Sequence, residues 1–146
     1  RPAGGDPALL RTLVAGGWLP CLACVGRDAG GFLNVNADEA AAAVAGVLAA
    51  GEFVLLTDVA GVRDGAGGSG EVIAELDRDA IARLENAGVI AGGMIPKVRS
   101  ALIAAEASGR PVRIASWTDP ASIERGGTLV RPPVATAADF TSGAVG

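Results

Sequence analysis

Continuous apolar runs that alternate with segments of helical period constrain this chain more than any other feature. Phe53-Val54-Leu55-Leu56-Thr57 is apolar and β-branched throughout, the composition of a parallel strand covered on both faces, and its carboxyl end meets Asp58. Ahead of it, Asn36 and Glu39 stand at the spacing of a capping box, so a helix of three or four turns is expected through Ala40 to Ala50. Behind it, Asp77 or Asp79 can cap a helix whose apolar face is Ala80, Ile81, Leu84 and Ala87, stopped by Gly88. A further helix starts after Gly92-Gly93, where Pro96 is tolerated only in the first turn, and carries the stripe Met94, Ile95, Val98, Leu102 and Ala105 before Gly109. Pro111 to Ser116 reads as a strand, Ala121 to Arg125 as a helical turn and Thr128 to Val130 as a short strand. Near the start, Pro7 to Gly16 predicts a helix, and the apolar run Leu19 to Val25 predicts a buried strand ending at a polar turn around Asp28, Gly30 and Gly31. Glu71 to Leu76 is a weaker strand candidate. Strands alternating with helices in this way imply right-handed crossovers, hence an α/β fold with a mainly parallel sheet and helices on both faces.

A chain of 146 residues, half of them hydrophobic, is enough for one such domain and its core. The expected division is a folded unit over residues 1–130, followed by a flexible tail over 131–146, where the composition turns to Pro, Ala, Thr, Ser and Gly. A net charge of −4 gives no electrostatic ground for a nucleic-acid surface or a basic membrane patch. Mean hydropathy is positive, yet the longest apolar stretch, Ala40 to Ala50, is too short to span a bilayer, so no membrane partner is expected. With no signal-peptide pattern and only two cysteines, a cytoplasmic setting is expected.

The chain contains no histidine, which removes Ser-His-Asp triads, Cys-His nucleophiles, histidine general bases and nearly every zinc site. Carboxylates, amines, amides and backbone must carry any chemistry. Cys21-Leu22-Ala23-Cys24 has the C-x-x-C spacing, but inside a buried strand the two side chains point to opposite faces, so they are expected as core residues and no metal ligand is assigned. Gly65-Ala66-Gly67-Gly68-Ser69-Gly70 lacks the strand–loop–helix context of a phosphate loop and reads as a flexible hairpin. Gly92-Gly93-Met94-Ile95-Pro96-Lys97 is more informative. Two glycines allow close approach to a helix end whose N–H groups attract anions, and Lys97 in the first turn is opposed by the helix dipole unless an anion offsets it. Asp38 is explained by helix capping, whereas Asn34 is left free to bind something at the same end of the sheet, and Asp58 to Val62 closes a parallel strand at its ligand-binding end.

Three segments taken together, LNVNADEAA at Leu33 to Ala41, LLTDVAGV at Leu55 to Val62 and GGMIPKV at Gly92 to Val98, resemble the acetylglutamate kinases of the amino-acid kinase family. GRPVRIASW at Gly109 to Trp117 and the GGT before Leu129 resemble the same family, so the likeness runs from about Gly5 to Val130. It implies transfer of the ATP γ-phosphoryl group to the side-chain carboxylate of N-acetyl-L-glutamate, in arginine biosynthesis, with Mg²⁺. It also implies roles: Asn34 contacts the acetylglutamate, Asp38 orients the catalytic lysines, and Lys97 stabilises charge on the moving phosphoryl group. Asp58, Val59, Ala60, Gly61, Val62 and Arg63, with Val89, Ile90 and Ala91, lie along the nucleotide. The family's enzymes carry a preceding half with another catalytic lysine, phosphate loops and subunit contacts. The resemblance therefore implies the nucleotide-binding half alone, weakly active or inactive by itself, whose partners are ATP, the acyl amino acid and the missing amino-terminal half, in a parent enzyme that is a homo-oligomer. A related kinase acting on carrier-bound aminoadipate, or a non-catalytic nucleotide-binding or pairing fragment, are the alternatives.

Overall fold

A computed structural model describes residues 5–133. Helix α1 spans Ala8–Ala15 and is followed by an antiparallel hairpin, β1 (Val25–Asp28) and β2 (Gly31–Asn34), which forms a two-stranded sheet by itself. Helix α2 (Ala37–Leu48) leads into β3 (Phe53–Thr57). A glycine-rich excursion with a short 3₁₀ turn at Ala66–Gly68 then reaches β4 (Glu75–Leu76) and α3 (Arg78–Asn86). Helix α4 (Met94–Ser108), β5 (Val112–Ser116), α5 (Pro120–Glu124) and β6 (Thr128–Val130) complete the fold.

The main sheet has the order β3-β5-β6-β4. The β3–β5 and β4–β6 pairs are parallel, and β5–β6 between them is antiparallel. The mainly parallel sheet flanked by helices expected from the alternation is thus present, with one reversal at its centre. Register places Leu55 opposite Ile114, Val112 opposite Val130, and Leu76 opposite Val130, so these residues share one face. Against that face α4 lays Val98, Ala101, Ala104 and Ala105, all buried, joined by Ile81 of α3 and by Ile90. Each large side chain sealed there is worth roughly 1.5–3 kcal/mol of apolar transfer. Small residues along α4 let the helix sit close to the sheet, and α2, itself alanine-rich, packs along α4.

Local signals are honoured where a core backs them. The Asn36 side chain accepts from the Asp38 and Glu39 N–H groups at 3.0 and 3.2 Å, and Asp77 caps α3 by accepting from Ala80 N–H at 2.7 Å. One apolar run with no core behind it fails. The run Leu19 to Val25 is not a buried strand: residues before Cys24 have no regular structure, and the strand that forms is Val25–Asp28. Among the described residues no strand pairs with residues 19–23, and an apolar strand without neighbours cannot satisfy its backbone. For the same reason Cys21 is exposed and Cys24 only half-buried, and both are free thiols rather than core residues. Strand β3 is likewise not covered on both faces, since Leu56 is exposed while Leu55 and Thr57 are buried. Of the expected 131–146 tail, residues 134–146 lie outside the described residues.

Candidate functional site

Strand β3 ends at Thr57, whose hydroxyl donates to the Asp58 carboxylate at 3.0 Å and whose carbonyl accepts from Trp117 N–H, which ties the carboxyl ends of β3 and β5 together. The chain then turns sharply at Gly61. Its φ of +156° lies at the limit of what side chains adopt, and a Cβ there would stand 2.7 Å from Thr128 Oγ1 and 2.9 Å from Val72 Cγ1, so only glycine fits. The next residue, Val62, is buried and donates its N–H to Thr128 Oγ1 at 2.8 Å. The segment 58–63 is therefore held against the sheet by the buried Val62–Thr128 hydrogen bond and by the close approach of Gly61 to Thr128 and Val72.

A cavity of about 490 Å³ opens at this end of the sheet. Its walls are Thr57, Asp58, Val59, Gly61, Val62 and Arg63 from the β3 exit, and Val89, Ile90 and Ala91 ahead of α4. Gly92, Gly93, Met94 and Lys97 contribute the helix start, and Gly67 and Gly68 the glycine-rich excursion. Eight of the nine residues expected along a nucleotide thus line one space. Ala60 does not, although it sits in the same turn: the backbone reverses at Gly61, so neighbours on this turn do not share one side. Asn34 is also outside the cavity, exposed at the end of β2 opposite Val25.

Lys97 is the fourth residue of α4 and reaches Asp38, at the start of α2, with Nζ 3.4 Å from Oδ2 and 3.5 Å from Oδ1. Both side chains are largely shielded, at 26% and 19% exposure. Charge-assisted hydrogen bonds are ordinarily about 2.7–2.9 Å, so this pair is loose, and the ammonium keeps donors for another acceptor. Asp38 therefore has two functions in one place: its backbone is capped by Asn36 while its carboxylate holds Lys97. The dipole cost expected for a cation near the start of α4 is offset by Asp38 and does not by itself require a bound anion.

The helix start is less bare than its sequence suggests. Met94 N–H donates to Ala91 O at 3.2 Å and Ile95 N–H to Gly92 O at 3.3 Å, and Pro96 has no N–H to offer. Positive potential here comes mainly from the Lys97 side chain. Gly67 and Gly68 were legible as glycines but not as site residues, because the motif rule asks for a helix directly after the loop; here the loop reaches the cavity as the tip of a hairpin instead.

The amino acid kinase family model matches residues 4–116. The chain belongs to the amino acid kinase family. It is 49% identical over 118 residues to the acetylglutamate kinase of Pectobacterium carotovorum, a match covering 80% of this chain and 44% of that relative. A solved structure of a Streptococcus mutans protein superposes with a TM-score of 0.75 at 30% identity, covering 90% of this chain and 50% of that one. The carbamate kinase of Giardia lamblia, solved with AMP-PNP, shares the fold at a TM-score of 0.64 and 23% identity, over 86% of this chain and 49% of that one. This member of the family spans about half the length of the curated relatives it matches. No helix among the described residues is long and apolar enough to cross a membrane.

Proposed function

We propose that this chain is the nucleotide-binding half of an enzyme that phosphorylates the side-chain carboxylate of N-acetyl-L-glutamate with ATP, the activity named for its curated relatives. The observation that carries this reading is Lys97, held loosely by Asp38 beside a cavity formed at the carboxyl end of β3 and the glycine-flanked start of α4. ATP occupies that cavity along Asp58 to Arg63 and Val89 to Ala91. The acceptor carboxylate is already ionised at pH 7, so its oxygen attacks the γ-phosphorus without a general base, and the bond to the bridging oxygen of ADP breaks as ADP leaves. Lys97 offers its free donors to the charge that develops on the transferring group, and Asp38 keeps the ammonium in place. Asn34, exposed beside the cap of α2, contacts the acyl amino acid.

Among the described residues no group of three or more carboxylate or thiol side chains is placed to cage a metal ion. Mg²⁺ therefore enters as part of the substrate, held chiefly by the nucleotide phosphates, as is usual for this ion. The setting is cytoplasmic, and the complete enzyme, a homo-oligomer, unites this half with an amino-terminal one that brings a second phosphate-facing lysine and the rest of the acceptor pocket. Absence of one preorganised donor costs about 3 kcal/mol of transition-state stabilisation, so the isolated half turns over little.

The test is a calorimetric titration of the chain with the Mg²⁺ complex of a non-hydrolysable ATP analogue, with Lys97→Ala in parallel. Binding by the parent chain that weakens in the variant is expected, together with acetylglutamate-dependent ADP release once the amino-terminal half of a full-length relative is supplied. A folded chain that releases no ADP with that half present would refute the catalytic reading. Ordinary turnover by the chain alone would refute the division of labour.

A further inference from the structure

The cavity contains a second cation with a different attachment. Arg63 lines it and is half-buried, and among the described residues no carboxylate stands within ion-pairing distance of its guanidinium. Its side chain bonds along its own segment instead: Nη1 donates to the carbonyl of Gly70 at 2.6 Å. Between these two residues lies the glycine-rich excursion, and its backbone is tightly organised. Arg63 and Val72 form an antiparallel bridge, Ile73 N–H donates to Val62 O at 2.8 Å, and Asp64 N–H to Glu71 O at 3.0 Å. Glu71 N–H returns to Asp64 Oδ1 at 2.9 Å, and Gly65 N–H donates to Ser69 O at 3.0 Å. A Cβ at Gly65 would stand 2.7 Å from Ser69 O, and one at Gly70 would strike Asp64 Oδ1, so the hairpin has one packed shape. At its tip Gly67 and Gly68, both at positive φ, form part of the cavity wall facing the same space as Lys97.

We propose that Arg63 is a positioning residue of the nucleotide site: by donating to the Gly70 carbonyl it latches the hairpin 64–71 in place, so that Gly67 and Gly68 form a fixed wall against which the nucleotide is bound. This rests on the reading of the cavity as a nucleotide site. The chemistry suits the task. A carbonyl is a neutral acceptor, so the latch does not consume the arginine's charge, and the guanidinium retains further N–H donors. A hairpin that is half glycine has a large conformational entropy to lose, and one side-chain bond across its neck restricts the whole tip. Binding to a preset wall then avoids ordering the loop at the moment of association.

The experiment compares the 146-residue chain with Arg63→Met and Arg63→Lys by two independent readouts. Amide hydrogen exchange in the absence of ligand reports the hairpin through the bonded N–H groups of Asp64, Gly65, Gly68 and Glu71, and calorimetry with the Mg²⁺ complex of a non-hydrolysable ATP analogue reports affinity. In Arg63→Met those amides should exchange about tenfold faster and the affinity should fall about tenfold, the value of one hydrogen bond from a charged donor, with an unchanged melting temperature. Arg63→Lys, which can still donate to the carbonyl, should recover part of both. Faster exchange with unchanged affinity, or weaker affinity with unchanged exchange, would each overturn the positioning role, as would a methionine variant identical to the parent. If the parent chain binds no nucleotide, the nucleotide reading falls and the role of Arg63 toward a nucleotide with it, while the exchange data still decide whether the latch exists.

Discussion

Residues 5–34 and residues 53–130 carry comparable apolar patterns and reach opposite ends. In the second region the apolar residues of β3, β5, β6, α3 and α4 close over one another, and Ile114, Val98, Val112 and Val130 are sealed. In the first, α1 buries nothing, β1 and β2 pair chiefly with each other, and Leu19, Phe32 and Trp18 stand 88%, 81% and 70% exposed. The difference is not one of hydrophobicity. It shows that an amphipathic helix or an apolar run becomes core only where other elements supply a surface to close against, which for residues 5–34 the described part of the chain does not do. Exposed large apolar residues gathered in one stretch of chain, among them Leu9, Trp18, Leu19 and Phe32, have the character of a contact surface.

Truncation in the two regions breaks the comparison most directly. Ile114→Ala should cost about 2–5 kcal/mol, as a large-to-small change at a sealed position, whereas Phe32→Ala should stay within roughly 0.5 kcal/mol; urea denaturation of the two variants checks both. Equal losses would mean that residues 5–34 have a core of their own. Next in size is Gly61→Ala. The added Cβ meets Thr128 and Val72, so a loss of roughly 1–3 kcal/mol is expected, accompanied by weakened nucleotide binding because the whole 58–63 segment must shift. Gly46→Ala, in α2 with open space at its Cβ, should instead be neutral or stabilising by up to about 1 kcal/mol.

Much of the second region was legible. Strands β3, β5 and β6 and helices α3 and α4 fall within a residue or two of their sequence signals, because capping residues, periodicity and burial agree there. The first region defeated the same reasoning at Leu19 to Val25, since apolar composition cannot tell whether a strand will find neighbours. Within the site, Lys97 and Asp38 were read from separate motifs, and the fold brings them together. Gly67 and Gly68 are not legible as site residues, because a loop that curls back into a cavity is a property of the hairpin register, which the glycine pattern does not encode.

The smallest expected effect is one of charge. Bidentate hydrogen bonding from Arg99 on α4 holds the Glu85 carboxyl of α3 below its ordinary value. The folded state thus favours the ionised form, so the stability added by this pair is present above the ordinary carboxylate pKa and disappears as pH falls through the lowered one. Glu85→Gln should flatten that acidic limb of the stability profile slightly, leaving the neutral plateau lower by no more than about 1 kcal/mol, as expected for a surface pair. A melting series from pH 7 to pH 3 reads it.

Strand β3 has a sheet neighbour on one side only among the described residues, and its carboxyl end is where the chain enters the cavity. Its outer row of peptide groups is a template that accepts any extended segment of suitable length. A second copy of this chain meeting it edge to edge supplies such a segment, so occupancy of that row rises with concentration. The association state at this edge is therefore a matter of concentration, with dilution leaving the row open.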